Sequence, residues 1–166
     1  KGEVIDATKV VDVYSLKNTP SCITFYNGRL WVATHKIWFP SQMFAYYYDK
    51  NEDRIKSLST YNIPPQVQGV TFGEAGEVYL STSYGRKVSS HIIKYDSVFA
   101  MTEQANKPVL SIEMPPCSEE ITIYDDVLYV LFESAGEKYL KGTDGKGRSL
   151  SPLDKILKIP IQNAGD

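Results

Sequence analysis

Carboxylates stand close together in the last third of the sequence. Glu119 and Glu120 are adjacent, and Glu133 follows a short alternating segment. Carboxylate oxygens bind hard divalent cations, and paired carboxyl groups are the usual acid–base groups in the hydrolysis of sugars. The pattern therefore favours a carboxylate cluster that holds a divalent cation such as calcium or transfers protons. The alternative is that these side chains are solvated loop ends or pair with neighbouring lysines and arginines.

The segment Ser81–Lys87 contains a second group of side chains that could bind a ligand. Tyr84 is followed by a glycine and by Arg86. A tyrosine ring stacks on the face of a sugar or an aromatic ligand, and a guanidinium group binds a carboxylate through two parallel hydrogen bonds. This segment is predicted to be a ligand platform. The alternative is a glycine-containing turn with an exposed arginine.

An aromatic loop and a glycine-rich loop are the remaining features. The loop that begins at His35 contains Trp38 and Phe39, and such aromatic pairs either form a partner surface or pack under their own loop. The segment Lys141–Arg148 lacks the Gly-Lys-Ser/Thr ending of a phosphate-binding loop and is predicted to be an exposed, flexible loop. The sequence contains no serine nucleophile elbow and no zinc-protease motif.

Three segments of the sequence repeat one pattern. Each has a β-branched residue, a threonine and an aromatic residue or isoleucine, then a polar turn, then an aliphatic–aromatic–aliphatic triplet. The segments are 22–34, 69–82 and 120–132. The spacing from Ile23 to Val70 is 47 residues, and that from Val70 to Ile121 is 51. Because the turns contain the Asn, Asp and Gly that tight hairpins need, each segment predicts a β-hairpin.

The intervals between the hairpins also repeat. A third strand is predicted after each hairpin, at 44–49, 91–96 and 155–159, and a fourth before each hairpin, at 10–14, 55–59 and 109–113. Proline pairs follow the second and third of these last strands, and proline pairs end strands. Helix signals are limited to one turn within 97–106. Four short strands in a unit of about 48 residues are typical of a propeller blade.

The repeat resembles the bacterial β-propellers that include the NHL, SMP-30/gluconolactonase-like and YncE-like families. The resemblance implies an all-β fold with three four-stranded blades, at approximately 10–49, 55–96 and 109–161, in one segment that spans residues 1–166. Because propellers have about four to eight blades, the chain is predicted to be half of a six-bladed ring. The other blades would come from a missing segment or from a second copy of the chain.

Alignment of the three units brings the candidate residues to matching positions. Just before the first strand stand Ser21, Gln68 and Glu119, and just after the second stand His35, Ser83 and Glu133. Loops at strand ends are where propellers bind ligands. The ligand-binding residues predicted from this alignment are Tyr84, Arg86, His35, Glu120 and Glu133. In the gluconolactonase-like families a cation bound in the channel is the precedent for the carboxylates.

Composition narrows the classes of function. The 18 basic and 20 acidic residues give a net charge of −2, which argues against a nucleic-acid binder. No apolar run approaches the roughly 20 residues of a membrane-spanning helix. Residue 1 is lysine, and with the tyrosine-rich all-β composition this favours an exported or cell-surface protein. Cys22 and Cys117 are either bridged or two buried free thiols.

These observations lead to two hypotheses about function. The first is a non-enzymatic propeller segment of a larger exported bacterial protein. Its rim loops would bind a small molecule, a carbohydrate or a protein. The second is a metal-dependent lactonase or glycosidase that uses Glu119, Glu120 or Glu133 at the channel.

Overall fold

A computed structural model of the protein describes residues 19–103 and 107–161. In these ranges the chain forms three antiparallel sheets and two short helices. The prediction of an all-β protein is confirmed. The strand predicted at 10–14 lies outside the described residues.

The first sheet is a four-stranded meander in which each strand pairs with the next. Its strands are β1 (Pro20–Tyr26), β2 (Arg29–Thr34), β3 (Ser41–Asp49) and β4 (Arg54–Ile63). The predicted β1–β2 hairpin is present, with Tyr26 opposite Arg29. Asn27 and Gly28 form its turn at φ angles of 48° and 71°, which are the positive values that a two-residue hairpin turn requires.

The second and third sheets repeat this arrangement. The second consists of β5 (Val67–Phe72), β6 (Val78–Thr82), β7 (Ser90–Tyr95) and β8 (Leu110–Met114), with helix α1 (Val98–Glu103) between its last two strands. The third contains β9 (Ser118–Tyr124), β10 (Val127–Phe132) and β11 (Leu157–Pro160), with helix α2 (Glu137–Lys141) before β11. Within the described residues the third sheet has three strands, and none of the sheets closes on itself.

The sheets are out of phase with the repeat units derived from the sequence. Each unit began with a strand that precedes its hairpin, at 55–59 or 109–113. In the structure these strands are β4 and β8, and they pair with the third strand of the sheet before them. The sheet boundaries therefore fall near Pro64–Pro65 and Pro115–Pro116, because a proline pair ends a ladder. A sequence repeat does not itself show where a unit begins. The hydrogen bonds between strands decide which strands belong to one sheet.

Each sheet has two faces that can be defined by equivalent residues. The leading face contains Ile23, Val70 and Ile121 in the first strands. The trailing face contains Trp31, Tyr79 and Tyr129 in the second strands. The two faces follow from the alternation of side chains along a strand. In all three sheets the register is the same, with Ile23 opposite Val32, Val70 opposite Leu80 and Ile121 opposite Val130.

The hydrophobic core lies in two layers between the sheets. In the first layer the trailing face of the first sheet meets the leading face of the second, and the centroid of the Trp31 ring lies 4.9 Å from that of Phe72. Tyr26 stacks on the same Phe72 ring at 4.6 Å. In the second layer Tyr79 and Ile92 pack against the leading face of the third sheet. The sheets are therefore stacked in chain order, always leading face on trailing face.

The first strands of the three sheets lie side by side, with β5 between β1 and β9. The Ser21 hydroxyl donates to Oε1 of Gln68 at 2.9 Å, which joins two positions that the sequence alignment had made equivalent. At Gly69 the backbone of β5 approaches β9 so closely that an added Cβ would lie 2.6 Å from the carbonyl oxygen of Glu119. A glycine is therefore required where these two sheets meet.

Candidate functional site

A polar basin lies where the loops that follow the second strands of the three sheets converge. Its volume is about 670 Å³. His35, Ser83 and Glu133, which occupy equivalent positions after β2, β6 and β10, all line it. Of the predicted site residues, Tyr84 and Arg86 also line the basin, whereas Glu120 does not. The structure thus brings four of the five predicted residues to one place.

Tyr84 lines one edge of the basin, and Trp38 lies next to it. Tyr84 is 39% exposed, and its ring and that of Trp38 meet edge-on with a centroid distance of 5.7 Å. Trp38 and Phe39 are 76% and 72% exposed. The aromatic loop predicted from the sequence is therefore at the surface, next to the predicted ligand platform. An exposed aromatic ring beside a cavity is suited to stacking on a flat ligand.

Arg86 forms part of the wall of the basin rather than projecting into solvent. Its side chain is buried, donates to the carbonyl oxygens of Lys138 and Gly147, and forms an ion pair with Asp144. The guanidinium carbon also lies 4.3 Å from the centroid of the Tyr139 ring. The arginine therefore binds the loop after α2 to the second sheet. Arg86 is therefore neither a free guanidinium group that could bind a ligand carboxylate nor an exposed residue of a turn.

The loop after α2 is thus held in place, although the sequence predicted it to be flexible. Gly142 ends α2 at a φ of 66°, and the amide of Lys146 donates to the Asp144 carboxylate at 3.2 Å. Arg86 lowers the pKa of Asp144 by hydrogen bonding to it. The Arg86–Asp144 contact spans 58 residues. No local pattern in the sequence indicates such a pairing, so this part of the site was missed.

The charge in the basin is predominantly positive. Arg86 pairs with Asp144, and Lys138 pairs with Glu133 at 3.5 Å. Lys87 and Lys146 also line the basin, and neither forms an ion pair with a carboxylate among the described residues. Positive side chains that line a concave site focus their electric field there and attract anions. The basin is therefore complementary to a negatively charged ligand.

The three candidate carboxylates are divided between two places. Glu119 is hydrogen-bonded to Glu133, and burial followed by this contact raises the pKa of Glu119 to about 8. The carboxylate of Glu120 accepts the amide N–H of Ile121 at 3.0 Å, and burial raises its pKa. Among residues 19–103 and 107–161, no three His, Cys, Asp or Glu side chains form a group that could hold a metal ion. The arrangement is a buried Glu119 carboxyl group next to Glu133, which lines the basin and pairs with Lys138.

We expect the stability of the protein to fall as the pH rises from 4.5 towards the raised pKa of Glu119. Because the pKa of Glu119 is raised from 4.5 to about 8, the folded chain holds a proton that the unfolded chain releases between these pH values. Stability therefore decreases with pH in this window. Thermal unfolding of Glu119→Gln between pH 5 and 8 should show a flatter dependence than the wild type. Equal slopes for both proteins would contradict the assignment.

His35 and the cysteines complete the group of candidate residues. The Nδ1 of His35 lies 3.2 Å from the carbonyl oxygen of Val67, so this nitrogen carries a hydrogen and the ring is oriented at the basin. Cys22 and Cys117 are both buried and are not bridged. Burial raises the pKa of Cys22 to about 12 and that of Cys117 to about 11, which makes both thiols poor nucleophiles.

Comparison with known proteins adds no relative. No family model matches the sequence, and no curated protein matches it significantly. In the described ranges neither helix has the length and apolar character needed to cross a bilayer.

Proposed function

We propose that this chain is a ligand-binding β-propeller segment and that the basin binds a carbohydrate that carries carboxylate groups. The propeller is supported by the constant register of the three sheets, by their stacking in chain order and by the adjacent first strands. In this architecture loops at one end of the sheets form the ligand site.

The observation that carries the proposal is an exposed tyrosine together with two lysines that line one cavity and form no ion pair among residues 19–103 and 107–161. Tyr84 and Trp38 offer apolar ring faces, which suit the C–H surface of a sugar ring. Lys87 and Lys146 offer positive charge within the same basin. A uronic-acid oligosaccharide presents both features. Arg86 has a positioning role, because it holds the loop that carries Lys146.

The geometry favours binding over metal-dependent hydrolysis. The hydrolase hypothesis places a cation in the channel on Glu119, Glu120 or Glu133. Glu120 is instead bound to the amide of its neighbour, and Glu119 shares a hydrogen bond with Glu133. Glu133 also pairs with Lys138, and no group of three potential metal ligands forms among residues 19–103 and 107–161.

Substitution of Tyr84 by alanine should weaken binding of tetragalacturonate by about tenfold, which corresponds to the loss of one stacking contact. Lys87→Ala should weaken it several-fold and should reduce the dependence of the affinity on salt, because a screened charge is removed. Isothermal titration calorimetry measures both effects. The matched controls are Phe99→Ala, an aromatic residue that is 70% exposed on α1, and Lys50→Ala, in the exposed β3–β4 turn.

The neutral tetramer of galactose serves as the comparison ligand. Weaker binding of the neutral sugar supports the assignment of the lysines. Equal binding of both sugars would contradict the charge argument while retaining the aromatic site. Absence of binding to either, or equal losses in Phe99→Ala and Tyr84→Ala, would contradict the proposed function.

A further inference from the structure

The leading face of the first sheet has exposed apolar side chains along β1, whereas Val32 and Tyr46 on its inner strands are buried. Ile23 is 58% exposed and Phe25 is 68% exposed. The equivalent residues of the second sheet, Val70 and Phe72, are 0% and 8% exposed. Contiguous apolar surface of this kind marks an interaction site in a soluble protein.

Cross-strand rows show that this face is built like the two leading faces that are covered. In the first sheet the rows are Ile23–Val32–Phe44 and Phe25–Leu30–Tyr46. The matching rows of the second sheet are Val70–Leu80–Ile93 and Phe72–Val78–Tyr95, and those of the third are Ile121–Val130–Leu157 and Ile123–Leu128–Ile159. The rows of the second sheet pack on the first sheet, and those of the third pack on the second.

The trailing face of the third sheet also has exposed apolar side chains. Leu131 is 50% exposed, whereas the equivalent residues Ala33 and Ser81 are fully buried between sheets. Tyr129 is equivalent to Trp31 and Tyr79, each of which is 4% exposed. In the first and second sheets the trailing face is covered by the leading face of the next sheet. The equivalent face of the third sheet points outward.

A tyrosine–lysine pair supports this equivalence independently. In the second sheet Lys94 lies opposite Tyr79, with its Nζ 5.5 Å from the ring centroid, on the face that receives the third sheet. In the third sheet Lys158 lies opposite Tyr129 at the same distance of 5.5 Å. The open trailing face thus carries the same pair as the covered one.

We propose that the leading face of the first sheet binds the trailing face of the third sheet in a second copy of this chain. The contact continues the leading-on-trailing interface that already joins the three sheets. It is heterologous, since each copy contributes a different face, and two copies joined through both contacts make a closed ring. Such a ring contains six sheets, within the range of about four to eight that propellers have. The proposal is independent of the ligand that the basin binds.

Two single variants test the proposal, one on each face. Ile23→Asp places a charge on the leading face of the first sheet, and Leu131→Asp places one on the trailing face of the third. Both side chains are at least half exposed, so both variants should fold, which circular dichroism checks. In sedimentation velocity at 50 μM the wild type and the control Phe99→Asp should have about twice the mass of the 18.7 kDa chain. Each of the two variants should sediment as a monomer.

Mixing the two monomeric variants distinguishes the proposed contact from a self-complementary one. Ile23→Asp retains an intact trailing face, and Leu131→Asp retains an intact leading face, so an equimolar mixture should recover a dimer joined by one contact. A wild-type chain that sediments as a monomer would assign these faces to another partner and overturn the proposal. Leu131→Asp remaining dimeric, or a mixture remaining monomeric, would overturn it as well.

Discussion

Replacement of Arg86 by alanine should lower the free energy of unfolding by about 2 kcal/mol, because a buried side chain is removed and two carbonyl oxygens lose their hydrogen-bond donor. The guanidinium forms an ion pair with Asp144, donates to two carbonyl oxygens and lies over the Tyr139 ring. Its loss leaves these carbonyls without their donor. Denaturation by urea at a fixed protein concentration measures the change.

Two comparisons separate this effect from a general loss of charge. Lys87→Ala removes the adjacent positive charge, which has no ion-pair partner among the described residues, and it should change stability by less than about 0.5 kcal/mol. Arg86→Lys should recover only part of the loss, because an ammonium group lacks the planar fork that binds several acceptors. If Arg86→Ala were as stable as Lys87→Ala, the wall of the basin would not depend on this residue.

Substitution of Gly69 by alanine should destabilise the fold by about 2 kcal/mol, as expected for overpacking at a tight contact. The new Cβ would lie 2.6 Å from the carbonyl oxygen of Glu119 and 2.9 Å from the amide nitrogen of Ile121. Both atoms belong to the backbone of β9, so the second and third sheets would have to move apart. The expected result is a melting temperature lower by several degrees.

Gly136→Ala is the matched control for this substitution. Gly136 has a φ of −61°, and an added Cβ would lie 3.2 Å from the carbonyl oxygen of Glu133. Alanine is allowed at this backbone conformation and requires only a small adjustment, so its effect should be below about 1 kcal/mol. Equal stability of the Gly69→Ala and Gly136→Ala proteins would contradict the close approach of β5 to β9.

The hairpins could be predicted from the sequence because their causes are local. Alternating apolar residues and a turn such as Asn27–Gly28 specify two strands without reference to the rest of the chain. Alignment of the repeats then placed His35, Ser83 and Glu133 at equivalent positions, and all three line the basin. A repeated unit places equivalent residues at equivalent positions, so this inference needs no knowledge of long-range contacts.

The remaining parts of the site depend on contacts between distant residues. Arg86 meets Asp144 across 58 positions, in a loop whose sequence predicted only flexibility. The Glu119–Glu133 pair forms because β9 and β10 bring two hairpin ends together, and burial then keeps a proton on Glu119. The phase of the sheets was also not encoded locally, since β4 could pair with the strand before or after it. Hydrogen bonds and burial between residues that are distant in the sequence decided each of these cases.

The proposed ligand site can be located directly by nuclear magnetic resonance. A ¹H–¹⁵N correlation spectrum of the labelled chain would be recorded during titration with tetragalacturonate. We expect the shift changes to cluster at the amides of 83–88 and 138–146, around Tyr84 and the two lysines of the basin. Changes confined to another part of the chain, or none at saturating sugar, would contradict the assignment of the basin as the binding site.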